Sequence, residues 1–362
     1  MKVKSLEDLP KVYKNSKVLI TGHTGFKGSW LSLWLSTYGA EVSGISLSIP
    51  TNPSLFEILN LKNEVKDYRV DISDLDKVKR IVHEIQPDFI FHLAAQPLVY
   101  ESYYNPYQTW KTNLNGTVNI IESLMNVEKK CTVIFVTSDK VYKNYEKNEG
   151  YREYDELGGD DPYSASKSSA EFAINSYINA IINKKNNISI GIARAGNVIG
   201  GGDWAKYRLV PDCVRSWSNS MIVKIRNPNS TRPWQHVFEP LSGYIHFAAS
   251  LENNENLKNE IFNFGPGYNN TYLVKDLVEE MSKHWSKVQW EEDAKEVPNL
   301  KETILLQLDC EKAKKKLNWR SKWNFEKTVK ETINWYKEYY ETNTTNLKKL
   351  SIDQINDYLN VN

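Results

Sequence analysis

The sequence predicts an α/β protein: a doubly wound parallel sheet with a smaller, mainly C-terminal lobe beside it. Three observations carry the prediction. Short, almost wholly apolar runs alternate with longer amphipathic runs as far as Ala195. Apolar runs of that kind are strands covered on both faces, and strands alternating with helices close into right-handed crossovers and a parallel sheet. After Ala195 the alternation weakens, and Gly, Asn, Pro and Trp become dense in GNVIGGGDW and RNPNSTRPWQHV, a composition of irregular loops that carry a site.

Taken in order, residues 17–20 form a buried strand and 28–38 a helix stopped by Gly39. Residues 41–47 and 65–70 give the second and third strands. Ser73 is the expected N-cap of a helix that runs to Ile85, with Pro87 following it. Residues 88–93 are the fourth strand, 107–127 a long helix, 132–137 the fifth strand, 163–183 a second long helix and 188–194 the sixth strand. The Lys- and Asn-rich stretch beyond Thr342 is expected as a surface helix or a loose tail, with no chemistry of its own.

The 362 residues suit two lobes rather than one small core. Hydrophobic residues make up 40% and charged residues 25%, ordinary values for a globular protein. A net charge of +1 gives no global field for nucleic acid or an anionic membrane, so neither is an expected partner. An anionic substrate must then be met by a local cluster of Arg or Lys. Cys131, Cys213 and Cys310 are scattered without metal-ligand spacing, which reads as reduced thiols and no metal site. The N-terminus has no apolar signal core and no run is long enough to span a bilayer, so a cytoplasmic location is expected.

The first strand runs into Thr21-Gly22-His23-Thr24-Gly25-Phe26-Lys27-Gly28 and then a helix. Gly22 permits a tight turn, Gly25 lets a pyrophosphate approach the helix N-terminus, and Gly28 lets helix and strand pack closely. Later strand ends add Asp71, placed to meet an adenine amine, the small residues of Leu93-Ala94-Ala95-Gln96, and Thr137-Ser138-Asp139-Lys140. Ligands of such sheets lie at the carboxyl ends of the strands, where these residues gather. The end of the second strand, Ser46-Leu47-Ser48, offers neither an acid for ribose hydroxyls nor an Arg for a 2′-phosphate, so these residues leave NAD and NADP open.

Tyr163-Ser-Ala-Ser-Lys167 opens a helix, and i,i+4 spacing puts the phenol and the ammonium on one face. The phenol has an ordinary pKa of about 10, and a neighbouring Lys favours the phenolate, a base usable near neutral pH. Ser138 is placed to hydrogen-bond the same substrate hydroxyl.

With TGHTGFKG, HLAAQ, Asn113, Ser138, Tyr163 and Lys167 in place, the chain resembles the extended short-chain dehydrogenase/reductase family, which has the Rossmann fold. The likeness is greater still to its CDP-glucose 4,6-dehydratases. It runs over nearly the whole chain, through TGHTGFKGSWLSLWL, TNPSLFE, HLAAQPLV, TSDKVY, DPYSASK, ARAGNVIGGGDW, RPWQHVFEPLSGY, NFGP and LDCEKA. The resemblance implies NAD, held by Gly22, Thr24, Gly25, Phe26, Lys27, Gly28, Asp71, Ile72, Leu93, Ala94, Ala95, Gln96, Asn113, Tyr163 and Lys167. It implies that a base takes the sugar 4-hydroxyl proton while hydride leaves C4, that water is lost across C5 and C6, and that the hydride returns to C6. Asp139 and Lys140 fall where the family keeps its acid and base. Other sugar-nucleotide dehydratases have Asp-Glu there, and Asp-Lys marks the CDP-glucose type. As an acid Asp139 needs a raised pKa, and as a base Lys140 needs one below about 10.4. Desolvation serves both, whereas a direct ion pair would oppose both, so the two are expected not to pair tightly in the substrate complex.

For a sugar diphosphate the candidates are Gln96, Arg194, Asn197, Arg208, Arg226 and Arg232, since guanidinium groups bind phosphate with planar, paired donors. Arg232 matches a phosphate-binding arginine of the wider family. Trp204, Tyr207 and Trp234 are placed to flank a pyrimidine or to join the core, and His236 and Glu239 fit either role. Two departures from the family stand out: Lys301-Glu302-Thr303 replaces a usual His-Glu-Ala, and Val141 a usual Cys. The expected division is 12–196 with 231–265 for the dinucleotide, 197–230 with 266–345 for the nucleotide sugar, and 346–362 as a tail. The family pairs two long helices of each subunit into a four-helix bundle, so the resemblance implies a homodimer. A 4-epimerase or reductase on the same fold would keep Tyr163 and Lys167 but not need Asp139-Lys140. A silent dinucleotide sensor would need neither pair.

Overall fold

The computed structural model describes residues 5–147, 149–225, 227–267, 271–292, 306–342 and 346–361. In chain order its strands are β1 (Lys17–Thr21), β2 (Glu41–Ser46), β3 (Lys66–Arg69), β4 (Phe89–His92), β5 (Cys131–Val136), β6 (Ile188–Ala195), β7 (Val223–Ile225), β8 (Thr231–Arg232), β9 (Ile261–Phe264), β10 (Tyr272–Leu273) and β11 (Trp290–Glu292). Seven build one sheet in the order β3-β2-β1-β4-β5-β6-β9. Its neighbours pair in parallel, with Thr21 opposite Ile45 on one side and His92 on the other. The order reverses between β1 and β4, and a doubly wound sheet opens a ligand crevice at that switch point.

Side chains alternate faces along each strand and so separate into two cores. Val18, Ile20, Phe91 and Ile134 join one cluster, while Leu19, Ile90, Val133 and Phe135 join the other. β5 and β6 are buried throughout, as strands covered on both faces must be. β3 is the exception. Its Lys-Asp-Tyr-Arg is half exposed, and charged residues are a common guard on a sheet edge.

The helices are α1 (Leu9–Tyr13), α2 (Phe26–Thr37), α3 (Leu55–Ile58), α4 (Leu75–Ile85), α5 (Val99–Tyr104), α6 (Pro106–Trp110), α7 (Gly116–Ser123), α8 (Pro162–Ala180), α9 (Leu209–Ser218), α10 (Phe238–Glu252), α11 (Val274–Ser282), α12 (Glu311–Leu317), α13 (Phe325–Glu341) and α14 (Leu347–Asn360). No helix among the described residues is long and apolar enough to cross a membrane. The cap of α4 is Asp74 rather than Ser73. The Asp74 carboxylate accepts from the Lys77 N–H at 3.2 Å, while Ser73 is held one residue earlier by donating its own N–H to Asp71 at 2.8 Å. The single helix expected over 107–127 is instead α6, a π-helical turn at Lys111–Asn115, α7 and a final 3₁₀ turn at Leu124–Asn126. π-helical turns inside helices frequently mark functional sites, and this one carries Asn113. At α8, Asp161 caps the Ser164 N–H at 2.9 Å and Pro162 occupies the first turn, where its missing donor costs nothing.

The end of the chain is a docked helix. α14 buries Leu347, Ser351, Gln354, Ile355 and Tyr358, a spacing of i, i+4, i+7, i+8 and i+11 that lines one helical face. It closes over Glu239 of α10, which is fully buried. One carboxylate oxygen accepts from the Trp323 N–H at 2.8 Å, and the other from the Lys322 N–H at 3.0 Å and the Tyr358 hydroxyl at 2.7 Å. Burial still pushes this carboxyl up to about 7.

Candidate active site

The glycine turn is built as its spacing requires. Gly22 has φ +77°, and a Cβ there would lie 2.9 Å from the Ala94 backbone. A Cβ on Gly28 would strike the Gly22 carbonyl at 2.1 Å, so helix and strand approach as only glycine allows. Gly25 differs: a Cβ there meets just the Gly22 carbonyl, at 3.3 Å, and is otherwise in the open. Gly25 is the N-cap of α2, makes no side-chain cap, and is followed by no acid in the first turn. The free N–H groups of a 12-residue helix thus face an open surface at the switch point, an arrangement that fits the pyrophosphate of a dinucleotide.

Several residues expected to touch the cofactor also brace the crevice. The Thr24 hydroxyl is committed to the Ser48 carbonyl at 2.7 Å. The Ile72 side chain lies in the core, packed over Gly116, where an added Cβ would meet it at 2.4 Å. Gln96 spends its side-chain amide on Leu98 and Thr109 (2.6–3.1 Å). Asn113 is buried and accepts from the Gln96 N–H at 2.8 Å while donating to the Gln96 carbonyl and to Ser166. It ties the loop after β4 to α8, and so acts through the loop. Asp71 holds Ser73, as above. Leu93, Ala94 and Ala95 are half-buried along the β4 exit, and Phe26 lies against Gly200.

Beside this crevice the turn after β5 and the first turns of α8 bring Ser138, Asp139, Tyr163 and Lys167 together, all buried. Lys140 follows, half-buried. Ser138 Oγ donates to Asp139 Oδ1 at 2.9 Å and accepts from the Lys140 N–H at 3.2 Å. Burial raises the Asp139 carboxyl against the opposing pull of Lys140, Ser138 and Lys27, the direction an acid needs. Asp139 and Lys140 make no direct ion pair. Lys27 points into the same space. Burial, and repulsion from Arg208 and Lys167, lower its ammonium to about 8, and it lies 5.9 Å from the Tyr244 ring centre.

One expectation is corrected here. Tyr163 is not pulled toward the phenolate by Lys167. Burial pushes it up to about 12, and the groups that act the other way are Ser138 and Arg208. Burial likewise lowers Lys167 to about 8, opposed by Glu171.

Arg194 is a second correction. It was a candidate for phosphate, but only 1% of its side chain is exposed and its guanidinium is consumed internally. It pairs with buried Glu171 and donates to the Tyr142 hydroxyl at 2.8 Å and the Glu153 carbonyl at 3.1 Å. Glu171 also accepts from Thr137 at 2.6 Å, so this pair anchors the β5 and β6 ends under the site.

Arg208 stands beside this set. It reaches the electrostatic range of Tyr163 and is aimed by buried Asp203 at 2.8 Å. Asp203 is itself fixed, its backbone exchanging hydrogen bonds with the Tyr336 hydroxyl at 3.0 and 2.6 Å. Asn197 is exposed just past β6, next to Gly196, which packs on the Asp139 carboxylate. Arg232 lies half-buried on β8 and donates to the Thr231 carbonyl at 2.8 Å. Arg226 and Lys301-Glu302-Thr303 lie outside the described residues. Trp204, Trp234 and His236 are buried, whereas Tyr207 is exposed and packs its ring on Tyr100 at 4.3 Å.

Three residues escaped the sequence reading. Asp203 was visible inside GGGDW but had no evident partner. Gln235, in RPWQHV, is buried, and its Oε1 has no partner among the described residues; it lines a hollow with Asp139, Gly196, Gly265 and Leu308. Tyr244 is fully buried, its hydroxyl without a partner among the described residues and within electrostatic reach of Tyr163 and Asp139. No cluster of three or more metal-ligating side chains occurs among the described residues.

A switch-point crevice with an open glycine turn, next to a Ser–Tyr–Lys set, defines the class: a dinucleotide-binding α/β enzyme of the extended short-chain dehydrogenase/reductase type. Comparison with known proteins narrows it. The chain belongs to the GDP-mannose 4,6 dehydratase family, whose model matches residues 19–332. It is 44% identical over 332 residues to the CDP-glucose 4,6-dehydratase of Salmonella typhimurium, covering 90% of this chain and 92% of that one. Among solved structures, an epimerase of Methanothermobacter thermautotrophicus shares the fold with a TM-score of 0.78 at 23% identity, over 93% of this chain and 96% of that one. The UDP-glucose 4-epimerase of Brucella ovis in complex with NAD does so with a TM-score of 0.75 at 17% identity, over 89% and 98%.

Proposed function

We propose that the protein is an NAD-dependent CDP-glucose 4,6-dehydratase, forming CDP-4-keto-6-deoxyglucose. The observation that carries the reading is Asp139-Lys140 directly after Ser138, with the acid buried, raised by that burial and hydrogen-bonded to Ser138. A 4-epimerase has no use for that pair. The likeness to the Salmonella enzyme selects CDP-glucose among sugar nucleotides.

Bound NAD supplies the hydride acceptor at C4 and the hydride donor at C6. Tyr163, with Ser138 and Arg208 opposing the burial that raises its phenol, takes the 4-hydroxyl proton. Lys140 takes the C5 proton and later returns it. Asp139 gives its proton to the departing C6 hydroxyl. Arg208 and Arg232 meet the diphosphate, and Asn197 the sugar. Gly22, Gly25 and Gly28 open the α2 N-terminus to the pyrophosphate, and Asp71 meets the adenine. NAD suits the adenosine end better than NADP, because Arg69 donates twice to Asp67, at 2.7 and 3.0 Å, and its charge is spent there.

The proposed dinucleotide lobe is 12–196 with 231–265, and the nucleotide-sugar lobe is 197–230 with 266–345. We place the reaction in the cytoplasm, with a homodimer as the working unit. Tyr107 on α6 is 79% exposed and Phe172 on α8 is 59% exposed, on two helices that pack together, as a four-helix interface requires. Tyr107→Glu with Phe172→Glu should give a monomer by sedimentation.

The deciding experiment incubates the protein and catalytic NAD with CDP-glucose, dTDP-glucose, GDP-mannose and UDP-N-acetylglucosamine, and follows loss of one water by mass. Water loss from CDP-glucose alone is expected. Water loss from another member would move the error to the nucleotide end. An isomer of unchanged mass would replace this reading with an epimerase.

A further inference from the structure

We infer that the hollow beside Asp139 receives the C6 hydroxyl as it becomes water, and that Gln235 is a further catalytic residue, its side-chain carbonyl accepting the hydrogen of that hydroxyl while Asp139 protonates its oxygen. The inference rests on the dehydratase reading and deepens it by giving the leaving group a second partner. A hydroxyl that departs as water must accept one proton and keep the one it has. It needs a donor on one side and an acceptor on the other. Asp139 is the donor, and Gln235 is the acceptor.

The hollow measures about 10 Å³ and is bordered by Asp139, Gly196, Gln235, Gly265 and Leu308. The first four come from the chain just after β5, β6, β8 and β9. Its volume is about that of one water and far below that of a sugar ring. Ser138 Oγ donates to Asp139 Oδ1 at 2.9 Å, so the acid proton belongs on Oδ2. Oδ2 is the oxygen on the Gly196 side, where an added Cβ would lie 3.2 Å from it. Gln235 is 2% exposed, and its Oε1 has no partner among the described residues. The amide has one sensible orientation. Its Nε2 donates to the Phe264 carbonyl at 3.4 Å, and the reversed amide would set two carbonyl oxygens against each other. The backbone is pinned as well, the Gln235 carbonyl accepting from the Ile199 N–H at 2.9 Å. A buried amide oxygen without a donor is costly, and a hydroxyl entering the hollow supplies one. In the step itself Lys140 takes the C5 proton, and the C5–H pair becomes the second C5–C6 bond. The C6–O bond breaks with its pair on oxygen, which takes the Asp139 proton. The new water then donates one hydrogen to Gln235 Oε1 and the other to the Asp139 carboxylate.

The test compares two leaving groups on the whole enzyme with NAD: CDP-glucose, and CDP-6-deoxy-6-fluoroglucose, whose fluoride has no hydrogen to give Gln235. Gln235→Met keeps the length of the side chain and removes the acceptor. It should slow water loss from CDP-glucose by about tenfold to a hundredfold, the range of one unmade hydrogen bond, and leave fluoride release unchanged. Equal slowing on both substrates would make Gln235 a packing residue, and no slowing on either would leave the hollow outside the reaction; each overturns the inference. Gly265→Ala decides if Gln235→Met fails to fold. An added Cβ on Gly265 meets nothing closer than 3.5 Å, so the fold accommodates it, and the methyl narrows the hollow. Water loss should slow while C4 oxidation persists, so that reduced NAD accumulates on the enzyme. Water loss at the wild-type rate from folded Gly265→Ala overturns the inference. Absence of water loss by wild type from every sugar nucleotide refutes the dehydratase reading itself, whereas a wild type that loses water beside an equally active Gln235→Met refutes this inference alone.

Discussion

Asp139 and Glu239 are both buried carboxyls raised by desolvation, yet they are built for opposite ends. Glu239 receives three donors from two separate segments and lies where nothing can reach it. Asp139 has one side-chain donor, Ser138, and borders a hollow that also exposes the unpartnered Gln235 amide oxygen. Equal burial with unequal satisfaction separates a carboxyl that holds the chain together from one that, in the proposed reaction, gives up a proton. Exchanging the two carboxyls for amides tests the distinction most directly. Asp139→Asn should cut water loss by about 10²–10⁴-fold, the range for a lost general acid, with the melting temperature nearly unchanged. If turnover survived, Asp139 would be no more chemical than Glu239.

A third buried carboxyl, Glu171, sharpens the contrast, because its charge is matched by Arg194. Arg194→Ala should destabilise the protein by about 3–5 kcal/mol in denaturant unfolding, by leaving a buried carboxylate unpaired. A loss of substrate affinity without loss of stability would restore Arg194 to the phosphate site.

Glu239 gives a pH signature. Its folded value near 7 lies above the ordinary 4.5, so the folded state holds a proton that the unfolded state releases between those values. Its contribution therefore declines as pH rises from about 4.5 through 7, by about 3 kcal/mol at most. Buried His92, His236 and His246, lowered by desolvation to about 3, 3 and 4, push the other way below their ordinary 6.5. The clean observable is the difference in unfolding free energy between wild type and Glu239→Gln from pH 5 to pH 8. It should shift in favour of the amide as pH rises, and a flat difference would mean that Glu239 titrates normally.

What the sequence disclosed follows the same division. Strands buried on both faces announce themselves as apolar runs, so β1, β2, β4, β5 and β6 were legible to within one or two residues. That Gly22, Gly25, Gly28, Ser138, Tyr163 and Lys167 would gather at the strand ends was legible, because turn geometry and i,i+4 spacing are local. The fate of Arg194 was not, since its partner Glu171 is 23 residues away and an arginine at a strand end looks the same whether paired or free. Asp203 aims Arg208 only because α13 brings Tyr336 beneath it, 133 residues on. The docking of α14 had a readable signal in the spacing of Leu347, Ser351, Ile355 and Tyr358, but its Lys and Asn content suggested a tail. Tyr163 misled for a different reason: spacing to Lys167 was visible, whereas the desolvation that outweighs it is a property of the packed site.

The smallest effect concerns Tyr244, which lies between the two kinds of site. It belongs to α10, the helix that begins at Glu239, and its ring packs against Phe264 in the core. Its hydroxyl, however, is buried without a partner and lies within reach of Asp139 and Tyr163. A buried hydroxyl without a partner costs about 1–3 kcal/mol, so a structural Tyr244 would be improved by losing it. Tyr244→Phe should leave the melting temperature equal or slightly higher, while turnover falls by a factor of a few as Asp139, once it has released its proton, loses a polar neighbour. Lower stability with full turnover would place the hydroxyl with the packing of α10 and outside the reaction, and the boundary between the two sites would then run between Tyr244 and Asp139.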